Sequence, residues 1–304
     1  MSRALKAFLL AAAAARTALG LDLFGGAAPP EDIDVLMTGP AAPSQSYKRL
    51  PVFPEKLRYQ IFLGVVPVGQ AALEAEHVVE FNGRPAYHIV SRAESNRFCD
   101  AFYKVRDFNE SWMDARRLAS LGYSKILSEG RFYRREWAVY DAANRRFVAR
   151  LTNRDGSYKI FRGTVPASIQ DILSSLFYIR SQKLVPGRDI VLDVNTKTNW
   201  PLIVRVLKRE KIRTPSGTWR TVVVEPGLRK REGIFVQKGR NLRVWLTDDE
   251  KKIPVRMSVQ LFFGHVSALL IPPGTANLAA PAKGANYSVT SPKKTGQFRA
   301  ELSP

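Results

Sequence analysis

Val255-Arg256-Met257-Ser258-Val259-Gln260-Leu261 places an apolar side chain at every second position, with Phe263 continuing the same face. A period of two is the repeat of a β-strand, whose side chains point alternately to opposite sides. One apolar and one polar side mark a strand with one face covered and one wet, the habit of antiparallel sheets. The same pattern recurs upstream. Leu57, Tyr59, Ile61 and Leu63 share a face, as do Ala71, Leu73, Ala75 and Val79. Phe108 and Trp112 alternate with Asp107, Asn109 and Ser111, and Ile190, Leu192 and Val194 alternate with Asp189 and Asp193.

Turn chemistry separates these runs. Asn82-Gly83 suits a two-residue hairpin, because both residues tolerate positive φ. Val66-Pro67-Val68-Gly69, Asp155-Gly156, Pro215-Ser216-Gly217 and Thr247-Asp248-Asp249 mark further reversals. Many hairpin-linked strands predict a mainly β fold, a large curved antiparallel sheet or open β-barrel. One segment departs from the pattern. Ile169, Ile172, Leu173, Leu176 and Phe177 recur at helical spacing, with Gln170, Asp171, Ser174 and Ser175 opposite. Ser168 and Asp171 suggest a capping box, and Pro186-Gly187 ends the unit. The expectation is one amphipathic lid helix, Ser168 to Arg180, on the concave apolar face.

The ends read differently. Arg3 and Lys6 precede the short apolar run Ala7 to Ala15, and Ala18 and Gly20 offer a cleavage site before Leu21. Residues 1–20 therefore read as a signal peptide; the run is too short to span a bilayer. No cysteine follows it to carry a lipid anchor. Residues 21–55, rich in Pro and Gly, read as a flexible leader, 56–271 as the β domain, and 272–304 as a loose basic tail.

The chain has 304 residues, and its 47 Lys and Arg against 27 Asp and Glu give a net charge of +20. Such a surplus suits an anionic partner or surface, or else a solvated basic exterior. Cys99 is the single cysteine, so an internal disulfide is excluded. No nucleophile elbow or phosphate loop occurs. His77, His88 and His265 lack metal-ligand spacing, and no cofactor is expected. Asp248 and Asp249 are adjacent in a turn, where they cap backbone groups rather than face one substrate. Lys208-Arg209-Glu210-Lys211 and Arg229-Lys230-Arg231 lack the interleaved aromatics of a single-strand reader. Arg131, Arg134 and Arg135 do lie among Phe132, Tyr133, Trp137 and Tyr140, but no binding signature accompanies them, so nucleic acid is not expected.

The opening Leu57-Arg58-Tyr59-Gln60-Ile61, the central segment Ser168 to Arg180, and the closing Val244-Trp245-Leu246-Thr247-Asp248-Asp249 with Ile253-Pro254-Val255-Arg256-Met257 resemble the bacterial family called domain of unknown function 3108. The similarity spans about Lys56 to Leu270. It implies an exported protein of the Gram-negative envelope, a shape similar to periplasmic lipoprotein-carrier half-barrels, and no established activity; no catalytic residues come with it.

The reading that follows is a non-enzymatic periplasmic protein, expected as a monomer, that holds a lipid or acyl chain in the open barrel. Trp112, Trp137, Phe177, Tyr178 and Trp245 are the candidate lining residues, or else plain core. The alternative is a structural or interaction protein contacting anionic glycan, lipopolysaccharide or another protein. Amino-terminal sequencing of the extracytoplasmic protein is expected to begin near Leu21; an intact Met1 on cytoplasmic protein would contradict the export signal.

Overall fold

The computed structural model describes residues 29–33, 35–41, 44–228, 242–261 and 264–273. The expected signal peptide, nearly all of the basic tail and the run Arg229-Lys230-Arg231 lie outside them. Among the described residues there are fifteen strands and two helices. In chain order they are β1 (Met37–Pro40), β2 (Glu55–Leu63), β3 (Val66–Phe81), β4 (Arg84–Ser95), the single-turn helix α1 (Arg97–Asp100), β5 (Arg106–Asp114), β6 (Ser120–Glu129), β7 (Phe132–Asp141), β8 (Arg146–Asn153) and β9 (Tyr158–Thr164). Helix α2 (Ile172–Arg180) follows, then β10 (Asp189–Asn195), β11 (Asn199–Thr214), β12 (Gly217–Leu228), β13 (Leu242–Thr247), β14 (Pro254–Leu261) and β15 (Gly264–Leu270).

All strands join one antiparallel sheet, in the order β10 to β15 and then β2 to β9, with β1 paired to β3 off this path. The step that joins the two halves is β15 on β2, with Leu270 opposite Tyr59. The sheet is open between β9 and β10. There the crossover closes the gap locally, with Gln170 bridged in parallel to Val194 and Asn199 Nδ2 donating to the Thr164 carbonyl at 2.6 Å. Asn82 and Gly83 turn β3 into β4 with φ of 50° and 70°, the both-positive geometry the sequence implied.

The expected alternation holds for Ala71, Leu73 and Ala75, all buried in the concave core. It fails at Val79. A bulge between Ala75 and His77 adds one residue to β3 and turns Val79 outward, where it packs with Phe81. The 21–55 segment also differs from its reading as a flexible leader over its described part. Ile33, Val35 and Met37 cover Phe81, Trp112 and Trp137 on the convex side, and Asp32 pairs with Arg150. Leu50 is buried in the main core, and Tyr87 donates to the Lys48 carbonyl at 2.9 Å.

Helix α2 starts four residues later than its sequence pattern suggested. Asp171, not Ser168, is the N-cap, with Ser174 closing the capping box. The reason is tertiary. Asp171 Oδ2 accepts from Ser111 and Ser120, both at 2.6 Å, on the sheet floor. Residues 169 and 170 are held extended by Ser120, Asp193 and Asn195 backbone bonds. The far end is fixed by Arg180, fully buried, whose guanidinium donates to both oxygens of Glu55 at 2.6 and 2.7 Å and to the carbonyls of Lys252 and Lys251. A buried pair broken on one side leaves an unpaired charge in the core, at a cost of about 3–5 kcal/mol. Arg180→Met is therefore expected to lower unfolding free energy by about that amount in urea titrations followed by circular dichroism, and Arg180→Met with Glu55→Leu is expected to recover most of it. A single variant within about 1 kcal/mol of wild type would show that the pair does not anchor the helix.

Candidate functional site

The concave side of the sheet, with α2 lying on it, is where a ligand would be held. Much of that space is already filled by side chains. Leu173 and Phe177 of α2 are buried among Tyr59, Leu73, Ile89 and Met113. Among the described residues a cleft of about 50 Å³ lies between α2 and β11–β14. Its walls are apolar: Ile172 and Leu176 of the helix, Leu202, Val224, Val244 and Met257 of the sheet. Ile172 and Leu176 are only half-buried and form its rim. Small-molecule pockets measure roughly 300–1,000 Å³. The cleft is well below that range and admits a chain end or one aliphatic side chain.

On the other side of the start of α2 lies a niche of about 30 Å³, whose lining includes Asn109, Glu110, Tyr123, Lys125, Asp171 and Thr196, with Ile172 and Leu173 common to both spaces. That is room for about one water. Asn109 is buried, donates through Nδ2 to Ser91 at 3.3 Å, and has no partner for its Oδ1. Beside it Glu136 is buried between Lys125 and Lys197, each at 3.5 Å, and accepts from Tyr123 at 3.3 Å. Burial pushes the Glu136 carboxyl up, but the two lysines outweigh it and hold the group below its ordinary value. Burial and the nearby carboxylates push the Tyr123 and Tyr140 hydroxyls well up, so both stay protonated.

The five expected lining residues do not share this space. Trp112 and Trp137 stand on the convex face, stacked 5.2 Å apart, with Phe81 and His88 stacked on Trp112 at 4.9 and 5.5 Å. Trp112 follows Ser111, whose hydroxyl reaches the concave Asp171, so alternation forces the ring outward. Trp245 is turned away from the cleft that Val244 lines. Its indole donates to Glu210 at 2.7 Å, and Arg256 lies over its ring at 4.7 Å. Phe177 is concave but sealed in the core, under Arg180 at 5.0 Å. Tyr178 is half-buried against the same core.

The remaining polar candidates are in local structure. Asp249 accepts from Thr247 Oγ1 and from the Lys251 and Lys252 amides, and Asp248 accepts from Arg209, so this pair holds a turn. His88 meets Glu110 at 3.0 Å, and His265 bonds Ser258. Burial and Arg256 lower the pKa of His265. Among the described residues no group of His, Cys, Asp and Glu could hold a metal ion. No helix is long and apolar enough to cross a membrane, again among the described residues. Cys99 is half-buried on α1, and burial with Asp100 pushes its thiol up, away from the reactive thiolate.

Comparison with known proteins follows the same outline. A family model described as protein of unknown function, DUF3108, matches residues 58–271. A solved β-barrel-like protein of the domain of unknown function DUF1849 from Brucella abortus is similar over 71% of this chain and 94% of that chain, at 9% identity and a TM-score of 0.47. No curated protein matches the chain.

Filled core and open cleft separate by truncation. Phe177→Ala is expected to cost about 3–5 kcal/mol, because it empties a closed site. Leu176→Ala, at a half-exposed rim beside existing space, is expected to cost about 2 kcal/mol or less. Thermal melts of the two variants check the order; a larger loss at Leu176 would mean that the cleft is closed in solution.

Proposed function

The chain belongs to the DUF3108 family, and from that premise we propose that it is a non-enzymatic interaction protein of the bacterial envelope, working outside the cytoplasm through its basic exterior on an anionic component. The observation that carries this reading is the locked, largely filled concave side. Asp171 binds the floor at one end of α2 and Arg180 binds Glu55 at the other, so the helix is a clamp rather than a lid. Lifting it would strand a carboxylate at each end. The cleft beneath it has about 50 Å³, far too little for an acyl chain.

Three of the buried carboxylates support the non-enzymatic part. Asp171 caps a helix, Glu55 is bound to Arg180, and Glu136 lies between two lysines. Each has a structural partner, and none projects alone into open space where a substrate could meet it. The charge of +20 then supplies the recognition, as a long-range attraction that weakens with salt.

A second reading, a carrier for an apolar chain, is favoured by one feature, the half-exposed apolar rim of Ile172 and Leu176. Two probes separate the readings. A soluble anionic glycan such as heparin is expected to bind with an affinity that falls steeply between low and high salt, while a fluorescent fatty acid shows no saturable binding. Saturable, salt-insensitive binding of the fatty acid, with no heparin binding, would reverse the choice.

A further inference from the structure

Six of the large apolar side chains left exposed gather on one edge of the sheet. In an antiparallel meander alternate turns fall on the same edge, so β2–β3, β4–β5, β6–β7 and β8–β9 reverse side by side. Hydrogen bonds tie these four connections together. Asn96 donates to the Pro67 and Val68 carbonyls, the Gly130 amide to Lys104, and Arg154 to the Gly130 carbonyl. On this edge stand Val65 at 91% exposure, Val66, Phe98 at 70%, Phe102 at 71%, Phe132 and Tyr158.

Helix α1 is one turn long and buries none of its own residues. Phe98 and Phe102 touch only edge to face, 5.6 Å apart, and stay in water. Apolar tips on four adjacent turns depart from the polar composition that solvent-facing turns ordinarily have. The charge around them is mostly positive. Arg97, Lys104, Arg131, Arg154 and Lys159 are exposed here. Of the nearby carboxylates, Asp100 pairs with Arg106 and Glu94 is half-buried, while Asp155 stays exposed and accepts from Ser157.

We propose that this edge docks on an anionic lipid bilayer, with Phe98, Phe102 and Val65 entering the interface and the surrounding bases meeting the headgroup phosphates. Aromatic rings with basic neighbours are what an interfacial anchor combines: apolar area for the acyl boundary and cations for the anionic surface. The positive ring complements such a surface, and the rings protrude without needing the core to open. The proposal rests on the reading that the protein works through its basic exterior, and names lipid as the anion at this edge.

Full-length mature protein, sedimented with vesicles of phosphatidylglycerol and phosphatidylcholine and with vesicles of phosphatidylcholine alone, tests it. Wild type is expected to pellet with the anionic vesicles. Phe98→Ser with Phe102→Ser is expected to weaken that by about tenfold or more, the scale of transferring two aromatic side chains. Arg97→Glu with Lys104→Glu is expected to weaken it as well, and more at low salt. Both pairs are exposed, and unchanged circular dichroism confirms the fold. Equal pelleting of the serine variant and wild type would overturn the docking edge. So would a serine variant that turns a dimer into a monomer, since the edge would then be a contact between copies. Loss of vesicle binding in wild type with heparin binding intact would remove the lipid edge alone; loss of both would remove the broader reading too.

Discussion

The contact between Arg180 and Glu55 sets the arrangement on which the rest depends. Both charges are withdrawn from water, which is costly unless geometry and further hydrogen bonds compensate. Here the guanidinium meets the carboxylate with two bonds, places others on the carbonyls of Lys251 and Lys252, and lies over Phe177. The pair therefore joins the end of α2, the start of β2 and the turn before β14. Tyr59, donating to the Pro254 carbonyl at 2.8 Å, fastens the same corner. This is also where the two halves of the sheet meet, through β15 and β2.

With that corner fixed, the helix has little freedom, and the distribution of polar groups over the sheet becomes intelligible. Across β5 to β7 the concave face mixes polar side chains with apolar ones such as Met113, Ala138 and Tyr140. Ser111 and Ser120 receive the helix cap, and Lys125 and Glu136 flank it. The aromatic stack of Phe81, Trp112 and Trp137 goes to the convex face and needs its own cover, which the strip from Ile33 to Met37 supplies. Across β11 to β14 the concave face is aliphatic, and that is where the small cleft remains. Buried apolar side chains thus pack on both faces of the sheet, and the two clefts lined by the described residues beside α2 are small.

Among the described residues the concave face is largely filled, and the proposed recognition lies on the outside. Part of the basic charge is spent within the surface, as in Arg209 with Asp248 and Lys208 with Glu210. The turns at the edge of β2 to β9 keep theirs, beside aromatic rings that none of the described residues covers.

The amino-acid sequence by itself determined the strand character, the hairpin at Asn82-Gly83, the mid-chain helix and the family, because these depend on periods and turn residues within a few positions. It did not determine which face was the core. Alternation separates Ser111 from Trp112 but assigns neither to the inside; that was decided by Asp171, 60 residues away, and by Ile33 across the convex face. A bulge at Glu76 likewise reversed Val79 without a local signal. Glu55 read as the last residue of a leader, since nothing near it marks a partner 125 residues on. Phe98 and Phe102, four apart beside Arg97 and Lys104, were open to notice in the sequence. Their exposure was not, because burial is set by what packs over a side chain, and that is a property of the folded chain alone.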